Sequence, residues 1–175
     1  MNRTLSIYLD LVRLSAALVV FFGHLSGERF TGGLFWQASL FMGEAVMIFF
    51  VISGFVIGYV VFERRESRND YILARIVRIA SVAAPALVAT LLLDQLGQTL
   101  RPGAYAATWG FSDQGLWRQY LGGALFLNQL WYSDVPVGSN LPYWSLNFEV
   151  WYYVLFGIAA FATGALRILL FAAAA

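Results

Sequence analysis

Long apolar runs, each broken by only a few ionisable residues, set the pattern of this chain. A membrane-crossing helix needs about 20 mostly apolar residues. Four stretches approach that requirement, at 5–25, 37–62, 77–93 and 143–163. Gly54 and Gly58, four apart in the second run, permit close helix approach, and Pro85 in the third marks an expected kink. Residues 26–35 and 97–115 are polar and glycine-containing and read as loops. Residues 63–78 read as a charged connection. Segment 116–131 is short and amphipathic, and its tryptophans suit a membrane interface. The pattern predicts an all-α polytopic membrane helix bundle of four spans plus an interfacial or re-entrant helix, forming one membrane domain over 1–175.

The first run departs most from a lipid-facing helix. At 100° per residue, Ser6, Asp10, Arg13 and His24 fall within roughly 60° of one another. A charge near the bilayer centre costs at least about 2.5–3.5 kcal/mol, so such residues usually face a protein interior or a watery cavity. This helix is therefore expected to line a polar chamber. Asp10 and Arg13, three apart, can pair, keeping Arg13 charged. Arg13 and His24 point the same way but lie about 16 Å apart along the axis, so each acts on something other than its helix-mate. His24 is the single histidine and the one side chain here that ordinarily titrates near neutrality, which makes it the candidate general base.

Composition narrows the chemistry further. The chain is 60% hydrophobic and 12% charged, about half the charge of a soluble domain. Its net charge of +1 gives no general attraction to nucleic acid. All 11 basic residues are arginine, which removes lysine nucleophiles and Schiff bases. Without cysteine there is no disulfide or thiolate chemistry, and a single histidine argues against a histidine metal site. Asp10 and Arg13 interrupt what would be the apolar core of a signal peptide, so the first helix is expected to be retained.

Orientation follows from arginine placement. Arg64, Arg65, Arg68, Arg75 and Arg78 cluster in 63–78, which predicts a cytoplasmic connection. The N-terminus is then cytoplasmic and His24 lies near the outer end of its helix. With 116–131 not crossing, Glu149 begins on the side of His24.

The residues also carry a resemblance. Asp10-x-x-Arg13 followed by Ala16-Ala17-Leu18-Val19-Val20 and His24, with ten residues between arginine and histidine, resembles the opening of the membrane acyltransferase-3 family. Phe49-Phe50-Val51-Ile52-Ser53-Gly54-Phe55 is similar to its second-helix motif. Arg75-x-x-Arg78-Ile79 is similar to its basic motif, and Trp144-Ser145-Leu146-x-x-Glu149-x-x-Tyr152-Tyr153 to its tryptophan-serine-leucine motif. Departures are Ser81 where the family commonly has proline, and Ala45 and Met47 where it has glycine and an acid, with Glu44 nearby. The family usually continues through further membrane helices, so the chain is expected to match its N-terminal half.

The resemblance implies a bacterial inner-membrane O-acyltransferase. It would move an acyl group, usually acetyl, from cytoplasmic acyl-CoA to a hydroxyl of an extracytoplasmic glycan, such as lipopolysaccharide, or of a lipid-linked acceptor, with no metal. His24, Arg13, Asp10 and Glu149 become candidate catalytic residues. His24 would deprotonate the acceptor or briefly carry the acyl group. Arg13 would bind donor or stabilise an oxyanion, Asp10 would hold Arg13, and Glu149 would orient acceptor or histidine. Arg75 and Arg78 become candidates for the coenzyme phosphates, which guanidinium geometry suits. Expected partners are the bilayer, donor and acceptor, with a second copy or a C-terminal half completing the wall. Two other readings remain open: a proton-coupled transporter or channel module using the same four residues as a relay, and an inactive truncated relic.

Overall fold

A computed structural model describes residues 2–27, 31–105, 111–130 and 132–174. Parts of the expected loops 26–35 and 97–115, and Trp131 at the end of segment 116–131, lie outside the described residues. The fold is all-α, with no strand among the described residues. Its helices are α1 (Arg3–Leu25), α2 (Trp36–Ser39), α3 (Met42–Glu63), α4 (Arg68–Leu100), α5 (Leu116–Ala124), α6 (Trp144–Phe161) and α7 (Gly164–Ala174). Single 3₁₀ turns occupy Pro102–Tyr105 and Leu141–Tyr143. Helices α1, α3 and α4 are long and apolar enough to cross a membrane.

Contacts divide the chain into two compact units, Met1–Glu66 and Ser67–Ala175. In the first, α1 packs on α2 and α3. Asn2 starts α1 by accepting the Leu5 N–H at 2.8 Å, which satisfies one of the donors a helix N-terminus leaves open. Close approach falls at Gly23 rather than at Gly54 of the expected pair. A side chain at Gly23 would run into Met42, whereas one at Gly54 would meet open space. The break between α2 and α3 at Leu40–Phe41 divides the predicted second run.

In the second unit α4 begins well before the predicted apolar run. Ser67 accepts the Asp70 N–H at 3.2 Å and donates its hydroxyl to the Asp70 carboxylate at 2.7 Å. This reciprocal cap nucleates the helix at Arg68, so Arg75 and Arg78 sit on helix rather than in a connection. The 33 residues of α4 span about 50 Å against a hydrocarbon core of about 30 Å, so the helix outlasts its apolar stretch. It runs through Pro85 without ending, tolerance that membrane helices commonly show.

Segment 116–131 contains only the nine-residue α5, about 13 Å long and too short to cross. The expected fourth span corresponds to α6, whose 18 residues carry polar Asn147 and Glu149; it is not among the three long apolar helices. Helices α6 and α4 pack together through Tyr71, whose hydroxyl donates to the Tyr153 carbonyl at 2.8 Å. The Tyr71 ring lies over Phe156 and Phe161, with Gly157 leaving room for it.

The chain between α5 and α6 is fastened to α4 by buried polar groups. Asp94, 4% exposed, accepts the Ser139 N–H at 2.8 Å and the Tyr105 hydroxyl at 3.3 Å. Desolvation first, and the Asp94 charge second, push the Tyr105 phenol above its ordinary value, so it stays the donor. Gln119 accepts the Gly138 N–H at 2.9 Å. Gly138 is buried at φ +52°, and a side-chain carbon there would strike the Asp94 carboxylate. Gly138→Ala should therefore cost about 2–4 kcal/mol through combined strain and overpacking. Gly43→Ala, in open space on α3, should be neutral or stabilise by up to about 1 kcal/mol. Thermal denaturation of both variants in detergent checks this.

Candidate active site

The two units carry separate parts of the expected site, and each is described within its own unit. On α1 the more buried side comprises Leu9, Ala16, Val20 and Gly23. Its centre lies roughly 75° around the axis from the centre of the Ser6–Asp10–Arg13–His24 stripe. The stripe thus runs along the edge of the packing face. Ser6 and Arg13 are half-buried, while Asp10 and His24 are exposed.

Arg13 is held from two sides. Its guanidinium lies 3.9 Å from Asp10 and 5.4 Å from the centroid of the Phe49 ring on α3. The Arg13 side chain is 20% exposed against 69% for Asp10. A cation over an aromatic face is worth about 0.5–2 kcal/mol, more as water is removed. Arg13 Nε is buried without a partner among the described residues. Phe49 of the second-helix motif thus carries the arginine. His24 occupies the last turn of α1, where the backbone N–H groups of Ser26 and Gly27 close the helix end.

In the second unit, geometry joins two residues that the sequence kept apart. Arg78 Nε donates to Glu149 Oε1 at 3.2 Å, and the Tyr153 hydroxyl donates to the same oxygen. The Glu149 side chain is 11% exposed and that of Arg78 40%. Glu149 therefore sits level with Arg78, five residues into a helix whose start lies beside Thr90, toward the Leu100 end of α4. One turn nearer the start of α4, the Arg75 guanidinium lies 5.5 Å from the ring centroids of both Tyr71 and Tyr153. Its Nε is buried without a partner among the described residues.

Tyr71, Arg75 and Tyr153 border an open cleft of about 770 Å³ between α4, α6 and α7. Ile79, Ala83, Leu87 and Phe126 make its wall apolar, and Arg68 and Arg75 line one end. An unpartnered guanidinium nitrogen beside an apolar trough suits a ligand with an anionic head and a weakly polar arm. No group of three His, Cys, Asp or Glu side chains converges among the described residues.

Asp94, Gln119 and Asn147 are among the buried polar groups that escaped sequence reading. Asp94 and Gln119 sit in segments whose periodicity gives no sign of inward aim. Asn147 is fully buried, and neither of its amide atoms has a partner among the described residues. Tyr153 was visible within a motif, but its bond to Glu149 required the i, i+4 geometry of an actual helix.

Three long apolar helices, with charged residues among them, define a multi-pass membrane protein. A family model described as "Acyltransferase domain", that of the acyltransferase-3 family, matches residues 6–175, and the chain belongs to that family. No curated protein and no solved structure matches the chain.

The Arg78–Glu149–Tyr153 cluster generates a stability prediction. Glu149→Gln should destabilise by about 1 kcal/mol, since it weakens the bonds that a largely buried carboxylate accepts from half-exposed Arg78 and from Tyr153. Tyr153→Phe should cost about 1 kcal/mol, and the double variant less than the sum of the two. Chemical or thermal denaturation in detergent reads all three.

Proposed function

We propose that this chain is an O-acyltransferase of the cytoplasmic membrane, transferring an acyl group, acetyl first among them, from cytoplasmic acyl-CoA to a hydroxyl of an extracytoplasmic glycan or lipid-linked acceptor. The single observation that carries the reading is Arg13 and His24 aligned on one stripe of a membrane helix, in a chain of the acyltransferase family. The whole chain acts as one membrane domain, with the N-terminus and the Arg64–Arg78 region on the cytoplasmic side.

Acyl-CoA supplies an activated thioester. His24, at the outer end of α1, takes the proton from the acceptor hydroxyl as its oxygen attacks the thioester carbonyl, and a proton returns to the departing thiolate. The separation of about 16 Å along α1 assigns Arg13 to holding the donor rather than stabilising the oxyanion at the carbonyl served by His24. Asp10 and Phe49 keep Arg13 in place. Arg75, with its unpartnered Nε, is the primary ligand for the coenzyme phosphates. Arg78 contributes a second cation and is oriented by Glu149, which in turn sets the position of Tyr153.

Two measurements test this reading. With labelled acetyl-CoA and protein in vesicles, His24→Ala should lower transfer at least about 100-fold, the usual contribution of a general base. Arg75→Ala should raise the donor KM by about tenfold or more, the loss of one charge-assisted contact. Absence of donor binding, hydrolysis and transfer in the parent chain would refute the proposal; a trapped acyl-histidine would shift it to covalent catalysis. For orientation, the chain contains no cysteine, so single replacements can be labelled cleanly. An impermeant maleimide added to intact cells should modify Tyr132→Cys and spare Arg64→Cys; the opposite pattern overturns the topology.

A further inference from the structure

The segment joining α5 to α6 encloses a second cavity, of about 200 Å³, that the transfer chemistry above leaves unused. Asn128, Gln129, Asp134, Asn140, Tyr143 and Trp144 line it. Asn128 is 4% exposed. Its Nδ2 donates to the Val135 carbonyl at 2.8 Å, and its Oδ1 is buried without a partner among the described residues. Gln129 Nε2 donates to Asp134 Oδ1 at 2.5 Å, setting an amide and a carboxylate side by side. Asn140 is fixed by its bond to Thr90 Oγ1 at 3.0 Å. Trp144 meets Phe148 edge-on at 5.6 Å and keeps 40% of its surface exposed.

Each feature restricts the occupant. The volume falls below the roughly 300–1,000 Å³ of pockets for drug-sized ligands, which limits it to about one ring. Among the described residues no arginine lines the cavity and the one charged group is a carboxylate, so phosphate and carboxylate heads are disfavoured. Amide and carboxylate groups able to accept and donate, beside an indole, match the hydroxyls and the apolar face of a sugar ring. The cavity lies beside Thr90, toward the Leu100 end of α4, away from the arginines. Trp144 precedes Glu149 by five residues, about 7.5 Å along α6.

We propose that this cavity is a subsite for one uncharged pyranose ring of the acceptor glycan, with Trp144 as the stacking surface and Asn128, Gln129 and Asp134 as the hydroxyl partners. This rests on the reading of the chain as an O-acyltransferase with a glycan acceptor, but its test needs no donor. Full-length protein in nanodiscs is titrated with the methyl pyranosides of glucose, galactose, mannose and N-acetylglucosamine, and with glycerol 3-phosphate, by saturation-transfer NMR. At least one pyranoside should bind saturably, in preference to glycerol 3-phosphate. Trp144→Ala and Asp134→Asn should each weaken that binding about tenfold or more. Tyr132→Ala, on the same segment but fully exposed, should bind as the parent does. If Trp144→Ala does not fold, Gln129→Ala is read in its place. Absence of saturable pyranoside binding, preference for glycerol 3-phosphate, or unweakened binding by the pocket variants overturns the subsite. Thioester hydrolysis by the same sample reports on the catalytic reading separately: if hydrolysis fails while pyranoside binding holds, the subsite stands and the catalytic proposal falls.

Discussion

Charge inside apolar helices has to be matched locally, because lipid offers no water to do it. In this chain that requirement fixes how α4 and α6 meet. Arg78, Glu149 and Tyr153 satisfy one another across the helix pair, and Tyr71 closes the adjoining turn by bonding the Tyr153 backbone. A shift of one helix by a single turn would move the ion pair apart by about 5 Å and leave Arg78 without its carboxylate. The apolar residues around them accept many registers; the polar ones accept few. The cleft beside Arg75, the position of Trp144 and the anchoring of the segment before α6 all inherit this register.

The same rule operates differently on α1. Arg13 uses a local carboxylate and an aromatic face rather than a buried cross-helix ion pair. An arginine held this way keeps donor groups for a ligand, because neither Asp10 nor Phe49 saturates a guanidinium with five N–H donors. Arg78, bound to a largely buried carboxylate, is the more structural of the two. The contrast divides the arginines by role: Arg13 and Arg75 rest on rings, each with a buried unpartnered Nε, while Arg78 sets helix register.

Much of this was legible from the residues alone. Helical periodicity placed Ser6, Asp10, Arg13 and His24 on one arc, and run length located α1 and the end of α3 to within two residues. The start of α4 was misplaced because apolarity was read as helicity. The Ser67–Asp70 cap is a local polar signal that outranks hydropathy. Gly54 in α3 was read as part of a packing site, yet it faces open space and close approach falls at Gly23, since spacing alone does not say which face of a helix meets a neighbour. Asp94 and Asn147 left no trace in the sequence: a lone polar residue in a mixed segment has the same pattern whether it points inward or outward.

By itself the sequence determined the helical class, the apolar lengths suited to a membrane, the polar stripe on α1 and the family. Those properties follow from short-range geometry, the 1.5 Å rise and 100° turn of a helix, which act within one segment. Tertiary structure alone decided that Arg78 pairs with Glu149, 71 residues away, that Phe49 supports Arg13, and that Asn128 and Trp144 border one cavity. Such pairings depend on which faces of separate helices come together. Many arrangements bury similar apolar area, and the few polar groups that must find partners select among them.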